Sequence, residues 1–248
     1  MPHTGHILHG RYAVVSCHVE RPLDDEAWLH FARFQERRPG GFAIAALMRP
    51  PAEGEDESLW LERAREALAR GPFGLHTHWS APDHARPSGG DPAALVREQD
   101  RRLRAVGLEP GLFCGGGWYM DEAVADTLAE LGYADCTATA FRPAYLAPDA
   151  AHLQLAEPAR VELASGRRLL ELPTTHSIGM LARSVLGRDL PDAVHAYFHD
   201  TDLLDRRRVA ALRVALALLA RRRTPTDLGE LQRGLRPEKT MSFANSRG

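Results

Sequence analysis

The stretch "EPGLFCGGGWYMDEAVADTLAELGYADCTATAF" (109–141) decides the fold. Its apolar run, 109–118, breaks into three consecutive glycines, the pattern of a buried strand running into a loop. Residues 121–132 follow as a helix, with Val124, Leu128 and Leu131 turned inward and Gly132 where a left-handed stop belongs. Residues 133–141 then read as another strand. Strand, helix, strand at this spacing is the crossover unit of a parallel sheet.

The alternation extends both ways. Upstream, "RYAVVSCHVE" (11–20) is a β-branched strand that turns polar at its end, and 23–38 is a helix with Asp24 and Asp25 at its N-terminal side. A strand at 40–50, a helix at 55–71, a strand from Phe73 to Trp79 and a helix at 92–107 follow. Downstream, 160–175 alternates around Ser165-Gly166 as a β-hairpin, 193–200 is a strand, and 205–223 is a helix with Val209, Leu212, Leu216 and Leu219 as its core stripe. This order predicts an α/β fold with a parallel sheet or (β/α) barrel. One domain over 11–235 is expected, between a flexible N-terminal tail (1–10) and a polar C-terminal tail (236–248).

The chain has 248 residues, 44% hydrophobic and 26% charged, enough to bury a core without staples. A net charge of −2 offers no overall basic field for nucleic acid. Cys17, Cys114 and Cys136 are too few and scattered for a disulfide framework, and no run approaches the length of a membrane span. With no apolar leader segment, the expectation is a cytoplasmic protein that contacts neither membrane nor nucleic acid.

In parallel α/β folds functional groups gather at the C-terminal ends of strands. Here those ends carry His18 and Glu20; His76 and His78; Cys114 before the glycines; Thr174, Thr175 and His176; and His195, Tyr197 and His199, followed by Asp200 and Asp202. A single such histidine reads as structural. Histidine and acid ending several successive strands point to a shared polar pocket. Imidazoles with one carboxylate suit a divalent metal that keeps a position open for water, hence metal-assisted hydrolysis. A further imidazole can serve as base or acid.

Three segments carry a resemblance: "GGWYMDEAVADTLAELGYADCTATAFRP" (116–143), "LLELPTTHSIGML" (169–181) and "VHAYFHDTDLLDRRRVAALRVALALLARRR" (194–223). Over residues 11–235 the chain resembles the polysaccharide deacetylase (NodB-homology, carbohydrate esterase family 4) superfamily. That resemblance implies a distorted (β/α) barrel, removal of acetyl groups from N-acetylated sugars, a divalent metal such as zinc, and a carbohydrate or other small-molecule substrate. It places the strand-end His199 as the acid. The metal motifs match in part. "SCHVE" (16–20) puts His18 in the family's base position and Glu20 in its ligand position; Ser80 stands where a second histidine would follow His76; Cys114 stands where an arginine orients the base.

Three readings of this altered site stay open. In one, His18, Glu20 and His76 form a rearranged zinc shell, with His199 as acid, His78 close by, and water or His176 supplying the base. In another, no metal is bound and His18 and His199 do general acid–base work, oriented by Asp200 or Asp202. In the third, the fold is a non-catalytic ligand- or partner-binding module. Trp79, Trp118, Tyr197, Gly116 and Arg142 are the candidate substrate-binding residues. Trp79 reads equally as packing, and Arg142 equally as a cap on its own loop.

Overall fold

The computed structural model describes residues 10–187 and 190–245. The N-terminal tail expected over 1–10 therefore lies almost wholly outside the described residues. Strand β1 (Tyr12–Val19) is buried throughout, as its β-branched run requires, and pairs in parallel with β2 (Ala45–Met48) on one side and β9 (Ala193–His199) on the other. The sheet continues through β3 (Phe73–Thr77), β4 (Leu112–Gly115), β5 (Ala134–Asp135), β7 (Arg168–Glu171), β6 (Ala159–Glu162) and β11 (Thr240–Ser242). Beyond β9 lies β8 (His176–Ser177), and β10 (Thr224–Pro225) adds to β1. Among the described strands, only β6 and β7 pair antiparallel, turning at Gly166 with φ 84°, as the Ser-Gly hairpin predicts.

The helices are α1 (Asp25–Arg37), α2 (Glu57–Arg70), α3 (Pro92–Ala105), α4 (Glu122–Leu131), α5 (Ile178–Ser184), α6 (Arg206–Ala220) and α7 (Leu228–Gly234). All but α5 start on an aspartate, Asp24, Asp56, Asp91, Asp121, Asp205 and Asp227, whose carboxylate takes an otherwise unpaired backbone N–H; Ser177 does this for α5. At its other end α4 stops on Gly132, in the left-handed conformation at φ 82°.

The expected barrel is not closed. Residues 172–175, between β7 and β8, carry only isolated backbone bonds: Leu172 and Thr174 donate to Asp135 and Ala138, and Thr175 donates to His195 on the opposite side. Pro173 has no N–H to continue a ladder, so pairing lapses where the ring would shut. The polar tail expected from residue 236 also differs. Thr240–Ser242 pairs in parallel with β6, and Phe243 behind it is 1% exposed. The burial of one aromatic outweighs the polar composition around it.

The two faces of β1 explain where the site sits. Ala13, Val15, Cys17 and Val19 join the core under the helices, with Trp28 and Phe31 of α1. Tyr12 and Val14 join a second cluster with Leu47, Leu112, Cys114 and the α7 residues Leu228 and Leu231. Side chains alternate, so the second face runs on through Ser16 and His18 to Glu20. An apolar floor thus gives way to polar groups at the C-terminal end.

Candidate metal and catalytic site

Three strand ends, those of β1, β3 and β9, meet at one carboxylate. Glu20 Oε1 lies 3.6 Å from Nε2 of each of His76, His78 and His199. Parallel register does the placing: His18 pairs with His199 across β1 and β9, and His76 pairs with Cys114 across β3 and β4. His76 and His78 are two residues apart and share a face. Their other ring nitrogens are committed, His76 Nδ1 to Cys114 O at 3.1 Å and His78 Nδ1 to Pro82 O at 2.6 Å. Those bonds leave each Nε2 directed at Glu20, the second-sphere arrangement of metal-binding histidines. His78 Nε2 is buried with no hydrogen-bond partner.

The donor set fits a divalent ion. Glu20, His76 and His78 each offer an atom within 4.8 Å of the others. Ligands placed tetrahedrally about zinc, with bonds near 2.0–2.1 Å, stand about 3.3 Å apart. Small side-chain adjustments therefore suffice to close the shell. His18, His76 and Cys114 make a second, fully buried trio of possible donors.

This differs from the shell expected of His18, Glu20 and His76. His18 turns its Nε2 to Cys114 Sγ, 3.6 Å away, and stacks near His76 at 4.4 Å between ring centres. His78 takes the place beside Glu20. Ser80 is not an empty ligand position either: its exposed hydroxyl donates to Arg86 O and accepts from Ser88 N, within the loop.

Electrostatics separate the imidazoles. Burial, then the charges of His76 and His199, push His18 well below the ordinary histidine value. Burial also opposes a charge on His199, but the hydrogen bond its ring donates to Asp202 and the charges of Glu20, Asp202 and Asp200 outweigh it and raise its pKa. Asp202 accepts the His199 backbone N–H at 2.9 Å and an Arg208 N–H at 2.6 Å; burial would raise it, yet these partners hold it at about 2. Burial would likewise raise Glu20, and the imidazoles of His76 and His78 hold it far below the carboxylate range. Burial, then the charge of Asp135, pushes the Cys114 thiol up, so Cys114 is no thiolate nucleophile.

The cleft over these groups is about 530 Å3 and is lined by Trp118, Phe141, Tyr145 and Tyr197. Trp118 adopts φ 58°, a conformation a bulky residue rarely holds, and lies 5.4 Å from His18 and 5.0 Å from Tyr197 between ring centres. Of the candidate substrate-binding residues, Trp118, Tyr197 and Arg142 line the cleft. The Arg142 guanidinium is spent on Ala147 O and Pro148 O, the loop-capping alternative.

Trp79 is not a cleft wall: it is 7% exposed, donates to Gly116 O and packs on Phe113 and Tyr119. It follows His78 in the chain and so takes the opposite face. Gly116 is a matter of clearance, since a Cβ there would stand 2.6 Å from Thr77 O. His176 is buried beside Thr175 Oγ1 and lies outside the cleft lining, so it is not placed to act as base. His195 lies deeper, bonded to Ser16 Oγ and Leu172 O.

No protein-family model matches the chain, and no curated protein matches it. Among solved structures, 4-alpha-glucanotransferase from Thermococcus litoralis matches over 93% of the chain with a TM-score of 0.58 at 11% identity. The chain spans 41% of that protein's length, and the likeness is one of fold. A proposed polysaccharide deacetylase involved in O-antigen biosynthesis from Bordetella bronchiseptica matches over 90% of each chain at 15% identity, with a TM-score of 0.48. A family 4 carbohydrate esterase from Streptomyces lividans, solved with acetate, matches over 85% of this chain and 86% of its own at 12% identity, with a TM-score of 0.44. No helix among the described residues is long and apolar enough to cross a membrane.

Proposed function

We propose that the chain is a deacetylase-like hydrolase that uses a divalent metal, zinc by preference, to cleave an N-acyl amide or ester on a sugar-like substrate. The carrying observation is the approach of His76 and His78 Nε2 to one Glu20 oxygen, with both Nδ1 atoms tied to backbone carbonyls. Glu20, His76 and His78 would hold the ion; His18, first expected as a ligand, borders it. When bound, the ion supplies Lewis-acid polarisation of the acyl carbonyl and eases deprotonation of water.

The chain's own residues supply the rest. His18, buried and neutral, lines the cleft and is the candidate to accept a proton. His199, paired with both Asp202 and Glu20, would give a proton to the departing nitrogen or oxygen. Trp118 and Tyr197 line the cleft and would supply the aromatic contact for a sugar ring. The sealed apolar floor beneath them excludes water from below.

Zinc titration tests this reading. For micromolar affinity, millimolar zinc stabilises the chain by about 4 kcal/mol. At this size that raises the melting temperature by roughly 8–16 °C. The shift should vanish in His76→Ala and His78→Ala, as should hydrolysis of an N-acetylglucosamine oligomer or an aryl acetate. An unchanged melting temperature in native protein, or full activity in both variants, refutes it.

A further inference from the structure

A second recess lies on the outer, helical face, independent of the hydrolytic reading. Helix α1 presents His30, Arg33, Phe34 and Arg37, and α6 presents Arg206, Val209, Ala210 and Arg213, each set at the i, i+3, i+4, i+7 spacing of one helix face. Between them runs a groove of about 280 Å3. Its floor is apolar, Phe34 at 3% and Leu203 at 2% exposure, and no carboxylate lines it.

The arginines distinguish the groove by their grouping. Several arginines outside it are neutralised by acids, among them Arg49 by Glu55, Arg97 by Glu130, Arg104 by Asp100 and Arg167 by Asp126. Among the described residues, Arg33, Arg37, Arg206 and Arg213 make no ion pair and no side-chain hydrogen bond. Helix α6 contains no acid with which they could pair. Four fixed positive charges facing one recess repel one another, and an anion bound among them relieves that cost. Guanidinium forks match phosphate oxygens in pairs.

We propose that this groove binds a small phosphate-bearing molecule, its phosphate among the arginines and an apolar or ring portion over Phe34 and Leu203. The surroundings argue against larger anions. Asp24, Asp25 and Glu26 open α1, and Asp202 and Asp205 precede α6, so a long polyanion laid along the groove would run onto carboxylates. A bilayer needs protruding apolar groups, whereas the floor residues are recessed.

Phenyl phosphate and inorganic phosphate, titrated calorimetrically in metal-free buffer of low ionic strength, test the assignment. Phenyl phosphate should saturate at one site per chain and bind severalfold more tightly than inorganic phosphate. The double variant Arg33→Gln/Arg213→Gln should weaken it at least tenfold with an unchanged circular dichroism spectrum, while Arg97→Gln leaves it untouched. No saturable binding, equal affinity in the double variant, or preference for polyuridylate or anionic phospholipid vesicles over phenyl phosphate overturns it.

Discussion

Replacing Glu171 with glutamine should stabilise the protein at neutral pH. Asp135 of β5 and Glu171 of β7 are register partners in adjacent parallel strands, and both are 0% exposed. Asp135 is provided for as an anion, accepting from Thr137 Oγ1 at 2.6 Å and Thr137 N at 3.0 Å. Neither Glu171 oxygen has a hydrogen-bond partner. Burial, then the charge of Asp135, therefore pushes the Glu171 carboxyl well above its ordinary 4.5, and the folded chain keeps this proton while the unfolded chain gives it up. The folded state binds more protons, so stability falls as pH rises. The contribution is fully present below 4.5 and is lost above it, at about 1.4 kcal/mol per pH unit until the folded carboxyl itself ionises.

Glutamine keeps the shape, donates permanently toward Asp135 and does not titrate. Urea or thermal unfolding of both proteins at pH 5, 6 and 7, followed by circular dichroism, isolates the effect of the buried pair. The difference curve should rise from pH 5 to pH 7, by up to about 1.4 kcal/mol per unit. A variant with the native pH slope, or one less stable than native at pH 7, refutes the reasoning. Glu171→Leu provides the opposite sign: Asp135 would face an apolar neighbour, at a cost of about 3–5 kcal/mol when ionised.

Three further outcomes are expected. Ser80→His should leave zinc affinity within about twofold of native by calorimetry, since Ser80 is exposed and bonded within its loop; the loss of one ligand in His78→Ala should weaken zinc by about 10-fold or more. Phe243→Ala should cost about 3–5 kcal/mol in urea unfolding, because the ring is sealed behind β11, and deleting residues 240–248 should do at least as much damage. Gly74→Ala should destabilise by about 1–3 kcal/mol or more, since its Cβ would stand 2.3 Å from Leu112 O of the neighbouring strand.

The alternation of elements was legible because each signal is local. The helix predicted at 121–132 is Glu122–Leu131, and the strand predicted at 193–200 is Ala193–His199, because periodicity and caps sit within a few residues of what they determine. Closure of the sheet was not legible. It depends on whether residues 172–175 pair continuously with strands far away in sequence, and Pro173 is the one local hint that they do not. Strand β11 escaped for a related reason: three residues of ordinary composition pair only because β6 offers an edge and Phe243 a cavity to fill. The buried Asp135–Glu171 pair is likewise a product of register, invisible in a sequence that places the two 36 residues apart.

The site shows the same division more sharply. Counting from His76 to the fourth residue leads to Ser80 and to an apparently missing ligand. Counting by face leads to His78, because side chains two apart on an extended chain point the same way. A spacing of four brings two histidines together only if the backbone turns between them. Here β3 stays extended to Thr77, and the turn comes afterwards, at Ala81–His84. The shorter spacing is the one a straight strand end can use, and it also sends Trp79 to the helix side, where its ring packs on Phe113. The altered base position follows from the same crowding. With His76, His78 and His199 all directed at Glu20, His18 is left facing Cys114, a neutral neighbour that cannot charge it as an aspartate would. Cys114→Arg should therefore abolish hydrolysis of an aryl acetate: at a position that is 0% exposed the longer side chain would overfill the space, and its guanidinium would set a cation beside His18.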